Sequence, residues 1–366
     1  MHRMVYPFLG TFRDGLGVSL PVLSLAMTAK SVIGALGPFL ATIADNHGRK
    51  TGMLVGLGTF TLGASLVILW PSFPAFVAAI MLTILGKYIV DPSTHAYLGD
   101  QIAYQKRGRM MAISEFSWSL SFILGIPNVG LIIAHYGWNG PFPAFAILGI
   151  ALFLLLAFSV PQDRIIQNNK QPIFSNLRAI LSYTPALYGL LMSGLFSMAN
   201  EVVNLVFGIW LEDSFGLKIA ALGAASAVIG FSELSGETLV ASLVDRIGKL
   251  RSVALGLILN SAIALAIPLI AKDISGALLG LFFFYLTFEF TIVSSMPLMS
   301  EIFPTARATM ISNMAAAHSL GRALGALVAA PLFALGIYAN TFASAGLNLL
   351  SLAALIWLSR QEGERL

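Results

Sequence analysis

The sequence predicts an all-α membrane protein: two pseudo-symmetric six-helix bundles, with the first helix incomplete. Three observations predict it. Apolar stretches run almost end to end, lysine and arginine collect in alternate loops, and the chain matches itself at an offset of 200 residues. The 366 residues are 57% hydrophobic and only 10% charged, with a mean hydropathy of +0.84. Soluble domains carry about 25% charged residues because their surface faces water. Less than half that share leaves most of this surface for an apolar surrounding, the lipid bilayer.

In chain order, Met1 to Phe12 reads as the end of one span and shows no cleavable-signal pattern. Eleven full spans follow, near 22–43, 51–70, 73–98, 109–134, 140–160, 186–211, 219–243, 252–271, 275–299, 308–335 and 339–359. Each is close to the ~20 apolar residues that a crossing helix needs. The longest polar stretch, Pro161 to Tyr183, carries Asp163, Arg164, Asn168, Asn169, Lys170 and Arg178 and reads as a link. The chain therefore divides into a bundle at 1–160, a linker at 161–183 and a bundle at 184–366.

One set of loops, with the tail, holds 14 lysines and arginines, against three (Arg13, Lys218 and Lys272) in the other. Basic loops stay on the cytoplasmic side, so the basic face and the C-terminus are expected there. Compact loops fit a plasma membrane. The net charge of +4 comes from these scattered clusters. It is a topology signal, not a phosphate-binding face, and no nucleic-acid partner is expected.

The internal match is local and repeated. Ala41 to Lys50 lies opposite Ala241 to Leu250, aligning Asp45 with Asp245, Gly48 with Gly248 and Arg49 with Lys249. The same offset pairs Arg107 with Arg307, Met110 with Met310 and Gly125 with Gly325. One spacing that serves distant points indicates duplication. Parallel halves with a solute site between them near the midplane are the expected result. The offset maps Glu201, mid-span in the second half, onto Met1, so the first span is expected to be truncated.

The segment Asp45-x-x-Gly48-Arg49-Lys50, echoed by Asp245-Arg246-x-Gly248-Lys249, resembles the signature loop of the major facilitator superfamily. The resemblance covers essentially the whole chain. It departs at Ala41, where the family has glycine, and at Asn46, where it has a basic residue, which weakens the first charge relay. It implies a cytoplasmic gate of Asp45, Gly48, Arg49, Asp100, Asp245, Arg246, Gly248 and Lys249. In that gate glycine permits the tight turn, aspartate sits at a helix N-terminus, and Arg49 pairs with Asp100. The alternative is that Arg49 and Lys50 are only topology anchors. Gly125-Ile-Pro127-Asn-Val-Gly130 looks like a reduced glycine-proline motif of the antiporter branches.

Ionisable residues inside spans mark a pathway or a pair. Lys87, Asp91 and His95 recur one turn apart and share a helix face; Pro92 is expected to kink that helix. Glu115 lies at a depth similar to Asp91. A Lys87–Asp91–Glu115 cluster leaves one acid free to carry a coupling proton, or forms a static pair between helices. Glu289, His318 and Arg322 are placed at similar depths as a second polar cluster. Glu201 is a further substrate or proton residue, or a glutamic acid bonded to a backbone carbonyl or to Asn204. Glu233 and Glu237, one turn apart, repel, so one is expected at a watery mouth or protonated. Lys30 either attracts an anion or, the favoured reading, snorkels to the outer interface.

The resemblance implies a secondary active transporter that moves a small organic solute by alternating access, with proton-coupled efflux preferred. Its partners are the solute, protons and the lipid bilayer, and it acts as a monomer. The alternatives are a nutrient importer (sugar, organic acid or peptide) and a non-transporting, sensor-like relative. No enzyme activity, cofactor or metal is expected. The chain has no cysteine, His-Glu-x-x-His motif or Walker loop, and its five histidines do not cluster in sequence.

Overall fold

The computed structural model describes residues 1–40, 48–101, 117–161, 178–303 and 307–361. All its regular elements are helices, and they form two bundles. A short 3₁₀ turn, His2–Val5, leads into α1 (Leu9–Leu16), α2 (Leu20–Ala35) and the single turn α3 (Gly37–Leu40). The first half continues with α4 (Arg49–Leu69), α5 (Phe73–Gln101), α6 (Ser117–Tyr136) and α7 (Pro141–Ser159). The second holds α8 (Thr184–Asn204), α9 (Phe207–Phe215), α10 (Ile219–Ile247), α11 (Lys249–Ile270), α12 (Ile274–Ile302), α13 (Arg307–Phe333) and α14 (Ile337–Gln361). Among the described residues ten helices are long and apolar enough to cross a membrane, eleven if the bent pair α1–α2 counts as one.

The apolar runs located these elements closely. The span read over 186–211 is one crossing, Thr184–Phe215, whose helix loosens to a turn at Leu205–Val206 between α8 and α9. Just before this turn, the Asn204 side chain is drawn into a polar network that joins the two bundles. Local chemistry sets other boundaries. Asp273 caps α12, its Oδ1 accepting from the Gly276 amide at 2.7 Å, which satisfies a donor the helix leaves open. Pro92 lies within α5 without ending it.

The duplication is visible in the turns. Among the described residues, six have positive φ, all glycine, and they form three pairs: Gly17 with Gly216, Gly48 with Gly248, and Gly137 with Gly336. Gly48 and Gly248 stand at φ 94°, ψ 153° and φ 93°, ψ 144°. That region is essentially closed to side-chain-bearing residues. The signature loop therefore needs its glycine in both copies for the same backbone reason.

Within the first bundle α4 packs on α5 and α7; within the second α8 packs on α13 and α14, and α11 on α12 and α14. The bundles meet along two seams, α2 against α13 and α6 against α10. The second is backbone to backbone: a methyl on Gly130 would stand 3.2 Å from the Gly223 Cα. Small residues permit such approach in lipid. One apolar cluster, away from the basic loops, joins both bundles and includes Phe8, Phe12, Leu23, Phe76, Phe207 and Phe284. Another, near the basic face, includes Ile180, Phe196, Leu250, Met299, Met310 and Leu355, and its buried members all lie beyond residue 178. The apolar core shared by the two halves thus sits at the end opposite the basic loops.

Candidate functional site

Polar side chains gather where the bundles meet, at mid-span. Glu201 on α8 is 1% exposed. Its Oε1 accepts from the Tyr6 hydroxyl at 3.0 Å and its Oε2 from Asn204 Nδ2 at 3.3 Å. The Tyr6 oxygen accepts in turn from Lys30 Nζ at 2.7 Å, and the ammonium lies 4.7 Å from the Tyr6 ring centroid. Asn204 Oδ1 accepts from the Tyr285 hydroxyl at 2.8 Å. The chain Lys30–Tyr6–Glu201–Asn204–Tyr285 therefore begins on the first bundle and ends on the second. Gly325 makes room for it: a methyl there would meet the Glu201 Cβ at 2.8 Å.

A second contact crosses the other seam. Arg3 forms a two-pronged ion pair with Glu233 on α10, at 3.1 and 3.2 Å. Its guanidinium donates to the Trp118 carbonyl at 2.8 Å and lies 4.7 and 4.6 Å from the Trp118 and Phe122 ring centroids. Trp118 and Phe122 flank the start of a π-helical turn, Ser121–Gly125, inside α6. Such turns insert one residue into a helix and recur at functional sites. A cavity of about 310 Å³ opens here, lined by Arg3, Trp118, Ser121, Gly125, Val129 and Phe145 among others.

Lys87 and Asp91 pair along α5 at 3.2 Å, and the Lys87 ammonium lies 4.6 Å from the Trp118 ring centroid. Glu115, their expected third member, lies outside the described residues. On α13, His318 is buried, with Nδ1 2.6 Å from the Ser197 hydroxyl oxygen and its ring against Phe196. One turn further, Arg322 is half-buried and makes no hydrogen bond or ion pair among the described residues; the same holds for Glu289 on α12. The expected Glu289–His318–Arg322 cluster is thus a neighbourhood without direct bonds: Arg322 is in electrostatic reach of both others.

At the basic face, Lys249 forms an ion pair with Glu301 at the end of α12. It ties the second signature turn to a neighbouring helix, as the first was expected to do through Arg49 and Asp100. A cavity of about 470 Å³ lies over this turn, lined by Asp245, Gly248, Lys249, Arg251 and Glu301 among others. Asp245 and Arg246 are exposed. Asp45 and the Asp100 side chain lie outside the described residues. Arg49 makes contacts of its own, and Lys50 donates to the Ala157 carbonyl at 2.7 Å.

One sequence expectation changes. Lys30 does not snorkel outward: it is 5% exposed and bonded to Tyr6. Of the Glu233–Glu237 pair, Glu233 is compensated by Arg3. Sequence reasoning missed Arg3 and Tyr6, although they supply the first half's share of both inter-bundle contacts. Arg3 carried a signal, being a charge inside a stretch that reads as the end of a span.

No group of histidine, aspartate and glutamate among the described residues is arranged to hold a metal ion. A family profile described as the Major Facilitator Superfamily matches residues 1–200 and again 189–366. The MFS-type transporter YceJ of Bacillus subtilis is 27% identical over 340 residues, covering 90% of this chain and 85% of its own length. The chloramphenicol resistance protein CraA of Acinetobacter baumannii is 23% identical over 262 residues, 69% of this chain and 62% of that protein. Among solved structures, a D-xylose-proton symporter superposes with a TM-score of 0.75 at 17% identity, covering 97% of this chain and 92% of its own.

Proposed function

Because this chain belongs to the Major Facilitator Superfamily, and so transports small solutes, we propose that it couples export of a small organic compound to inward movement of protons. The observation that carries this reading is the buried Glu201 carboxylate, held by Tyr6 of the opposite bundle. A carboxylate in this position changes its grip on the other bundle when it gains a proton, because an ionised oxygen accepts a stronger, charge-assisted hydrogen bond than a neutral one. Proton arrival at Glu201 therefore loosens the contact that rocking must break. Ionisable groups inside a membrane span serve such relays.

Export is supported by the reduced glycine-proline motif at Gly125–Gly130, which forms the α6–α10 seam, and by CraA, whose name is that of a resistance protein. The basic face is taken as cytoplasmic, with Lys249–Glu301 holding the second signature turn there. Asp91 is bound to Lys87 within one helix, so the proton role falls to Glu201 ahead of Asp91.

The test uses proteoliposomes with an imposed pH gradient and a panel of small organic solutes, neutral chloramphenicol and anionic benzoate among them. Wild type is expected to move solute against its gradient. Glu201→Gln is expected to keep solute counterflow and lose the pH-driven component. Unchanged pH-driven movement in Glu201→Gln would remove Glu201 from the mechanism; uphill movement into the cytoplasmic compartment would replace export by import.

A further inference from the structure

Four cations lie within the spans: Arg3, Lys30, Lys87 and Arg322. Three have partners in the structure. Arg3 has Glu233, Lys87 has Asp91, and Lys30 has Tyr6 with Glu201 beyond it. Arg322 has no hydrogen bond or ion pair among the described residues, although it stands half-buried near the middle of α13. A guanidinium carries five fixed donors and a permanent charge, and inside a membrane such a charge is costly unless compensated.

Among the described residues, three carboxylates within the spans are already committed. Both oxygens of Glu201 are occupied, by Tyr6 and Asn204. Asp91 and Glu233 hold cations of their own. Glu289 has no bonded partner among the described residues, but it belongs to the same bundle as Arg322. Rocking moves bundles as units, so it leaves that separation unchanged. Arg322 and Lys30 both act electrostatically on Glu201, which sets two cations around one carboxylate. One helical turn from Arg322, and so on the same face, the buried His318 Nε2 also has no hydrogen-bond partner among the described residues.

We propose that the transported solute carries an anionic oxygen group, carboxylate or phosphate, and that Arg322 receives it with His318 Nε2 beside it. This rests on the transport reading and adds the charge class of the solute. Arginine suits the task because its planar fork meets two oxygens of one carboxylate or phosphate at once. Lys30 adds positive potential, while its ammonium stays on Tyr6.

The test is thermal stabilisation of the purified full chain by four probes on one phenyl ring: benzoate, phenyl phosphate, benzamide and benzylamine. Benzoate, phenyl phosphate or both are expected to raise the melting temperature saturably, with benzamide and benzylamine inert; their ranking separates a carboxylate site from a phosphate site. Arg322→Gln is expected to leave the unliganded melting temperature in place or raise it, since a costly charge is removed, and to raise the anion's half-saturation concentration at least about tenfold, the loss of one charge-assisted pair. An equal anion response in Arg322→Gln overturns the proposal, as does stronger stabilisation by benzylamine, or none by either anion at millimolar concentration. Should Arg322→Gln not purify, Arg322→Lys carries the test: weaker benzoate binding supports the fork, and unchanged binding overturns it. Anion binding without movement in proteoliposomes leaves Arg322 in place and sinks the transport reading. Movement restricted to uncharged or cationic solutes does the reverse.

Discussion

The interior of the second bundle and the seams between the bundles use polar groups in opposite ways. Inside the bundle, Asn260 donates to the Phe284 carbonyl at 2.7 Å and to the Thr287 hydroxyl at 2.9 Å, and accepts from Asn348 at 2.7 Å. Asn340 donates to the Val202 and Ala329 carbonyls, both at 2.9 Å, and Ser351 to the Met192 carbonyl at 2.9 Å. These groups knit α8, α11, α12, α13 and α14 into one body. Across the seams, among the described residues, charged contacts appear beside neutral ones: Arg3–Glu233 and Tyr6–Glu201, with Ser24 and Thr28 donating to the Ala326 and Ala323 carbonyls and Tyr88 with Ser319 at 2.9 Å. The difference teaches where the molecule is built to come apart. A net hydrogen bond contributes only about 0.5–1.5 kcal/mol, so a few seam contacts can be exchanged in each cycle, whereas the bundle interior stays intact.

The hardest blow to the bundle interior is Gly321→Val on α13. A methyl there would collide with the Gly194 carbonyl of α8. Overpacking costs about 1–3 kcal/mol and sometimes more, and here the obstacle is backbone, which cannot swing aside. The variant is expected to lose its folded peak in size-exclusion chromatography; normal yield and melting would show that the α8–α13 contact can yield.

Next comes Asn260→Ala, which leaves the buried Asn348 amide without its acceptor. The expected loss is about 1–3 kcal/mol, read as a lower melting temperature in detergent with the transport of surviving protein unchanged. An altered transport direction would mean that this network belongs to the moving parts.

Glu233→Gln strikes a seam instead. Stability should change little, while the balance between conformations moves by about 1–2 kcal/mol, a factor of roughly 5–30. The chain has no cysteine, so a single Ser24→Cys on the α2–α13 seam reports opening through its rate of maleimide labelling. The rate is expected to rise in Glu233→Gln and to stay fixed in Asn260→Ala. The reverse pattern would abolish the distinction.

The smallest effect is expected from Asp91→Asn. The pair with Lys87 lies within one helix and is partly exposed, with 24% and 38% of the two side chains accessible. Such pairs contribute about 0–1 kcal/mol. Melting and pH-driven transport should both stay close to wild type, and loss of coupling would return the proton to Asp91.

Most of the fold was legible because lipid imposes a simple grammar of apolar runs broken by short polar loops. The glycines at 48 and 248 were legible too, since a tight turn between packed helices leaves no other residue. The site was read only in part. Glu201, Arg322 and Lys87 announced themselves as charges inside spans, but their partners lie on other helices. No local pattern says that Tyr6 stands between Lys30 and Glu201, a pairing across 195 positions of sequence. Lys30 misled for a related reason: a long cation in the outer half of a span fits two destinations, and only packing chooses. The turn at Leu205–Val206 was hidden because its residues are as apolar as those on either side.

The π-helical turn in α6 has a mechanical meaning. With about 3.6 residues per α-turn, each inserted residue rotates the remainder of its helix by roughly 100°. The turn thus works like a change of thread in a screw: Trp118 before it and Phe122 within it are aimed at Arg3, while Ile126 and Gly130 beyond it lie along α10. Were the turn to tighten to regular α during a cycle, both sets could not keep their targets. One short segment would then trade the grip on Arg3 against the rail along α10.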